Sequence, residues 1–342
     1  MNPRLSDDAI NGWVARATGP CWRATSPPEP RDLAARFDVL SSLVIPCGES
    51  PHGTGGSPVR PFSTSRSPLS IARFAFVIAL IASYFAGTLL AQTPEKPKRN
   101  LLFIGQAKGY QHEAISTAMA TLYNLGRSSG QWNTMLRTDC TAITKKPLKW
   151  EAKNLDAYDA IVFFTDGDLD MDASQKEDLL SFVRDDGKGF IGIHSAAITF
   201  TGWPEYGEML GGYFDGHPWG QFNAPLVVED AQFPGLKNFP AEFSLFDEVY
   251  QIKGFSRQNV RVLMSLDAGK LDLTRKGVKR TDKDFAVIWA KNFGKGRVLY
   301  NGLGHVPALW ERPDFQKMWL EMVQWSMGLI PADATPQPKP GK

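Results

Sequence analysis

GFIGIHSAAITFTGWPEYGEMLGGYFDGHPW, residues 189–219, starts as an apolar run and then turns polar. The run GFIGIH is short, uncharged and closed by a histidine, which suits a strand buried on both faces of a parallel sheet. The whole stretch holds seven glycines, two tryptophans and three carboxylates, with His194 at the start of the connection and His217 near its end. Histidine is scarce in this chain, which has five. Two of them bracket one glycine-rich loop.

Outward from this stretch, strand and helix patterns alternate. NLLFIGQ (100–106), WNTMLRTD (132–139) and DAIVFFTDGDLD (159–170) read as further strands. HEAISTAMATLYNLGRSSG (112–130) carries Ile115, Met119, Leu122 and Leu125 at helical spacing, with Gly126 as the expected cap. SQKEDLLSFVRDDGKG (174–189) reads as an amphipathic helix capped near Asp172 to Ser174 and ended by Gly187. The alternation predicts an α/β fold: a doubly wound, mostly parallel sheet covered on both faces. The second half predicts an antiparallel extension. APLVVED, RVLMSLD, FAVIWAKNF and GRVLYNGLG are strand-like, and NFGKG reads as a hairpin turn. RPDFQKMWLEMVQWSMG (312–328) closes the domain as a helix, with Pro313 in its first turn and Gly328 at its end.

Composition divides the 342-residue chain. Residues 1–92 contain eight basic residues, all Arg, whereas twenty of the thirty beyond them are Lys. Residues 1–65 read as a disordered leader or an over-extended start. Residues 66–91 read as a signal peptide: Arg66 and Arg73 precede the apolar run Phe74 to Ala91. The alternative is a membrane anchor, at the low edge of spanning length. Membrane contact is therefore expected only if this segment stays uncleaved. The expected location is periplasmic or extracellular. Residues 92–98 form a linker, 99–330 the domain and 331–342 a disordered tail. The net charge of +2 argues against nucleic acid as a partner. Cys140 is the one cysteine beyond the leader, so no internal disulfide or thiol metal site is expected there. No GxGxxG or P-loop pattern follows the first strand.

In such sheets ligands bind beyond the carboxyl ends of the strands. His112, His194 and His305 each follow a strand in sequence, and His217 lies in the loop that His194 begins. The four therefore point to one edge. Asp166 ends the third strand. Asp247, Glu248 and Tyr250 stand in FDEVYQIKGF, and Glu205 in WPEYGEML. Trp203 and Trp219 are candidate pocket walls against which a sugar ring would stack. His194, His217, Glu248 and His305 are the candidate catalytic residues. Tyr110, His112, Asp166, Ser195, Trp203, Glu205, Trp219 and Tyr250 are the candidate substrate contacts. The four histidines also form a candidate metal set for zinc or a similar divalent ion, although no HExxH spacing is present and no cofactor is required.

GIHSAAITFTGWPEYGEMLGGYFDGHPW, with GYQHEAI upstream and DEVYQI downstream, resembles the trehalose-utilisation (ThuA-like) family across nearly all of residues 98–330. That resemblance implies the class I glutamine amidotransferase-like fold. In those enzymes a cysteine nucleophile sits in a G-x-C-x-G turn. Here the matching place reads Gly192-Ile193-His194-Ser195-Ala196, so thiol-based glutamine hydrolysis is excluded. His305 resembles the amidotransferase histidine. The family implies a small-molecule carbohydrate substrate, trehalose or a 3-keto glycoside, and a sugar oxidoreductase in the same pathway. Three functions stay open: acid–base chemistry by histidine and carboxylate, a metal-dependent hydrolase or lyase, and a non-catalytic sugar-binding module.

Overall fold

The computed structural model describes residues 97–339. The leader and signal segment assigned to residues 1–91 lie outside the described residues. Eleven strands are present among the described residues: β1 (Arg99–Ile104), β2 (Trp132–Arg137), β3 (Ala160–Phe163), β4 (Gly189–Ile193), β5 (Tyr213–Phe214), β6 (Gln221–Val228), β7 (Glu242–Glu248), β8 (Ile252–Lys253), β9 (Arg261–Leu266), β10 (Ala286–Phe293) and β11 (Gly296–Asn301). The α-helices are α1 (Ala114–Ser129), α2 (Ala173–Arg184), α3 (Pro204–Leu210) and α4 (Pro313–Ser326).

Nine strands form one sheet in the order β2-β1-β3-β4-β11-β10-β9-β6-β7, and β5 pairs with β8 apart from it. Strands β2, β1, β3, β4 and β11 are parallel. The other four add as antiparallel neighbours. This is the expected α/β architecture with its antiparallel extension.

Alternate residues of the parallel strands supply two cores. Leu101, Phe103, Ala160 and Val162 pack with α1 and α4 on one face. Leu102, Ile104, Ile161 and Phe163 pack with α2 and α3 on the other. This two-residue alternation makes the strands read as continuous apolar runs: both faces are buried. The β10–β11 hairpin turns at Gly294 (φ 58°), as NFGKG predicts.

Three local features differ from the sequence expectation. Gly126 does not cap α1. It lies inside the helix, where a Cβ would come 2.4 Å from Trp132 Nε1, and Gly130 (φ 70°) ends the helix instead. Strand β7, EFSLFDE, was not expected. It is a sheet-edge strand with three carboxylates, so its apolar signal is weak. The tail is anchored at least to Thr335: Ala334 is buried, Ala332 O accepts from Trp325 Nε1 at 3.2 Å, and Asp333 pairs with Arg261 at 3.1 Å.

Candidate active site: a histidine–carboxylate centre

The winding reverses between β1 and β3, because β1 leads on one side to β2 and has β3 on the other. A crevice at the carboxyl edge is expected there. Four segments meet at that edge: the loop after β1 with Tyr110 and His112, the end of β4 with His194, the end of β7 with Glu248, and the loop after β11 with His305.

His194 stands on a sharp turn. Its φ is 42°, a left-handed value that is costly for a residue with a side chain. The turn needs small neighbours. A Cβ on Gly192 would lie 2.6 Å from Leu210 Cδ1 and 3.2 Å from the Ala196 methyl. This is the geometry of a nucleophile elbow, with an imidazole at its tip.

The ring orientation is fixed. His194 Nδ1 lies 2.8 Å from the Gly302 carbonyl, so Nδ1 carries the proton and donates it. Nε2 faces the crevice. It lies 3.2 Å from His305 Nδ1 and 3.5 Å from Glu248 Oε2, and His305 Nδ1 lies 3.3 Å from that same oxygen. One ring nitrogen of His112 joins them, and the four donor atoms all fall within 4.8 Å of one another. His194 is fully buried, and His112 and Glu248 are nearly so.

The electrostatics follow from this crowding. His112 is pushed down to about 3, first by burial and then by the charges of His194 and His305, so its ring is neutral. Burial alone would raise the Glu248 carboxyl. Hydrogen bonds from His194 and His305, together with their charges, outweigh that and hold it well below the usual carboxylate range. Burial also opposes charge on His305, but Glu248 and Asp247 raise its pKa overall.

Of the residues singled out from sequence, the structure gathers His112, His194, Glu248 and His305, with Tyr110, Tyr250, His217 and Asp166 around them. Tyr250 lies face-on to His194 at 4.2 Å between centroids, and its hydroxyl is 3.5 Å from His112 Nε2. Tyr110 is exposed and lies over His305 at 6.2 Å. His217 is half exposed, with Nδ1 3.5 Å from the other Glu248 oxygen, Oε1. Asp166 is buried beneath the Tyr110 loop and faces the amides of Tyr110 and Gly109.

Other residues fall elsewhere. Ser195 is fully buried behind the elbow, and its hydroxyl has no partner. Trp203 packs on Phe200 and Tyr206 beneath the Lys176 ammonium. Trp219 is a core residue against Phe285 and gives its indole N–H to Asp272 O. Glu205 is exposed at the start of α3. Glycine-rich surroundings suggested a pocket for both tryptophans, but ordinary packing claimed them. Glu248 replaces His217 in the four-donor cluster.

Two further residues contribute, Gln221 without a sequence signal of its own and Asp247 already noted in FDEVYQIKGF. Gln221 is the register partner of Glu248 on β6, and its Nε2 lies 3.0 Å from His305 Nε2. Asp247 is fully buried and accepts the amides of Gly304 at 2.7 Å and Val306 at 3.0 Å, so it pins the loop that carries His305.

The fold and site together define a doubly wound, flavodoxin-like α/β protein with a histidine–carboxylate cluster at the carboxyl edge of its sheet. Residues 100–326 match the sequence profile of the ThuA family, described as trehalose utilisation, and the chain belongs to that family. Among solved structures it is similar to a ThuA-like protein from Bacteroides uniformis, at 22% identity and a TM-score of 0.56, covering 69% of this chain and 94% of that one. A ThuA-like protein from Parabacteroides merdae is similar at 17% identity and a TM-score of 0.52, covering 68% and 90%. These similarities establish the fold. No curated protein matches significantly.

Proposed function

We propose that this chain is an exported enzyme of carbohydrate catabolism that acts on a keto sugar at a divalent metal held by His112, His194, His305 and Glu248. The observation that carries this reading is the convergence of four donor atoms within 4.8 Å in a buried crevice. Bonds of about 2.0–2.2 Å to a tetrahedral zinc ion would set neighbouring donors about 3.3–3.6 Å apart. The separations of 3.2, 3.3 and 3.5 Å among His194, His305 and Glu248 agree. The surroundings also fit. The His194 Nδ1–Gly302 hydrogen bond is the outer contact that orients a ligating imidazole.

A bound divalent ion would supply Lewis acidity toward a carbonyl or water taken as an additional ligand beyond the four protein donors. The side chains do the rest. Glu248 and the three histidine rings would hold the ion, and the single carboxylate would leave one positive charge at the site uncompensated. His217, half exposed and outside the ligand cluster, takes and returns a proton through the crevice mouth, with Glu248 Oε1 orienting its ring. Tyr110 offers an exposed face to a sugar ring. A ketone acidifies the neighbouring C–H, so imidazole is a strong enough base for elimination or hydration. Export rests on the signal-like segment at residues 66–91.

The test is incubation with trehalose, cellobiose and their 3-keto forms, with and without chelator, followed by NMR. Turnover confined to the keto forms and abolished by chelator is expected. Sugar binding without turnover would instead favour a non-catalytic module.

A further inference from the structure

A second cavity lies at the opposite edge of the sheet. Lys291 on β10 pairs in register with Val298 of β11, which pairs with Phe190 of β4. His194 is four residues further along the chain from Phe190, about 13 Å along the strand direction. The cavity holds about 800 Å³ and lies between the last turn of α3, Asn259 and the end of β10. It is separate from the histidine centre.

Lys291 is 7% exposed, and its ammonium donates to the Glu208 carbonyl at 2.6 Å. That contact caps the C-terminal turn of α3, an ordinary use of a lysine. It occupies one of three donors. Among the described residues no carboxylate oxygen pairs with this ammonium, which lies over the Phe293 ring at 5.9 Å. Burial draws its pKa down, and the charge of Glu208 opposes this through space. A buried cation with only a neutral acceptor is costly unless a counter-ion completes it. Arg184 at the rim does not share this need, because Glu177 and Asp185 already pair with it.

The walls suit a small polar guest. Asn259 and Asn292 are among the residues that line it. Gly211 and Gly212 have φ of 103° and 148°, and a Cβ there would meet Trp289 Nε1 at 2.6 Å and Ile252 Cγ2 at 2.5 Å. Close packing behind the cavity thus leaves its floor as bare backbone.

We propose that this cavity binds a small anion bearing a carboxylate or phosphate group, with Lys291 as its counter-charge and the Asn259 and Asn292 amides as further donors. A neutral sugar would leave the ammonium uncompensated, so the guest differs in class from the substrate proposed for the histidine centre. The inference does not depend on that proposal.

The test is calorimetric titration of the full-chain protein with inorganic phosphate and, separately, with acetate. Saturable binding of at least one is expected, and which of them binds identifies the group. Lys291→Met should weaken it by about tenfold or more. Asn259→Asp places a negative charge on the exposed wall and should also weaken it, without removing a buried group. This second variant decides the matter if the first fails to fold. The proposal is overturned if neither anion binds the wild-type protein, or if binding is unchanged in the folded variants.

Discussion

The Asp247 carboxylate accepts the backbone amide of Gly304 at 2.7 Å, and so fixes where the next residue, His305, stands. Its second oxygen holds Val306 at 3.0 Å. Asp247 and Glu248 are neighbours on β7, so one strand end supplies both a ligand to the centre and the clamp on another ligand's loop. Asp247→Asn offers one acceptor where two amides point and places an NH₂ against an N–H. Zinc affinity should fall about 10–100-fold, the usual effect of losing an outer contact. Stability should fall by about 1–3 kcal/mol. Calorimetric zinc titration beside urea unfolding checks both, and unchanged affinity would remove Asp247 from the account.

His194→Gly and His194→Ala should both lose metal, yet differ in stability. At φ 42° glycine is free of the Cβ clash. The glycine variant should therefore be at least as stable as the alanine variant, by up to about 1 kcal/mol after its greater unfolded-state entropy is counted. Denaturant midpoints in chelator read this directly. An alanine variant clearly the more stable would show that the elbow is not strained.

Gly109 allows the Tyr110 loop to approach Asp166, since an added Cβ would lie 2.3 Å from Asp166 Oδ1. Gly109→Ala should displace Tyr110 and His112 together. Turnover should drop by about 10²-fold, with a much smaller loss of stability. Steady-state rates and a thermal melt make the comparison, and a fully active variant would contradict the geometry.

In metal-free protein the Glu248–His305 pair should shape the pH dependence of stability. The depressed Glu248 pKa contributes stability that is present above its unfolded value, about 4.3, and lost as pH falls through the folded value. The raised His305 pKa contributes stability present below about 6.5 and lost as pH rises through its folded value. Their joint contribution should peak between about pH 4.5 and 6.5, and Glu248→Gln should flatten it. Urea midpoints across pH, wild type against variant in chelator, would show the difference. A difference that does not vary with pH would rule the pair out.

His217→Gln should separate chemistry from binding. The imidazole lies outside the donor cluster, so metal content should stay while kcat falls about 10²–10⁴-fold, the usual range for general acid–base catalysis. Loss of metal instead would make His217 a ligand.

Much of the centre was legible in sequence because the fold is simple at that edge. His194 and His305 follow apolar strand runs, and a parallel sheet gathers such positions. Glu248 was legible as a carboxylate in apolar context. The exchange of Glu248 for His217 in the cluster was not, because it depends on the side chain at the end of an edge strand too polar to read. Gln221 was hidden for a related reason: antiparallel register brings it opposite Glu248, and register is a pairing between distant segments. Trp219 misled because proximity in sequence to His217 says nothing about which face a ring takes. Its indole found Phe285 and a backbone carbonyl instead.

The most direct measurement is calorimetric titration of zinc into the metal-free full-chain protein, beside His112→Ala, His194→Ala, His305→Ala and Glu248→Gln. The account predicts one tightly bound ion per chain, weakened sharply in every variant, with keto-sugar turnover restored in step with occupancy. Absence of saturable binding, or binding indifferent to these four substitutions, would contradict it.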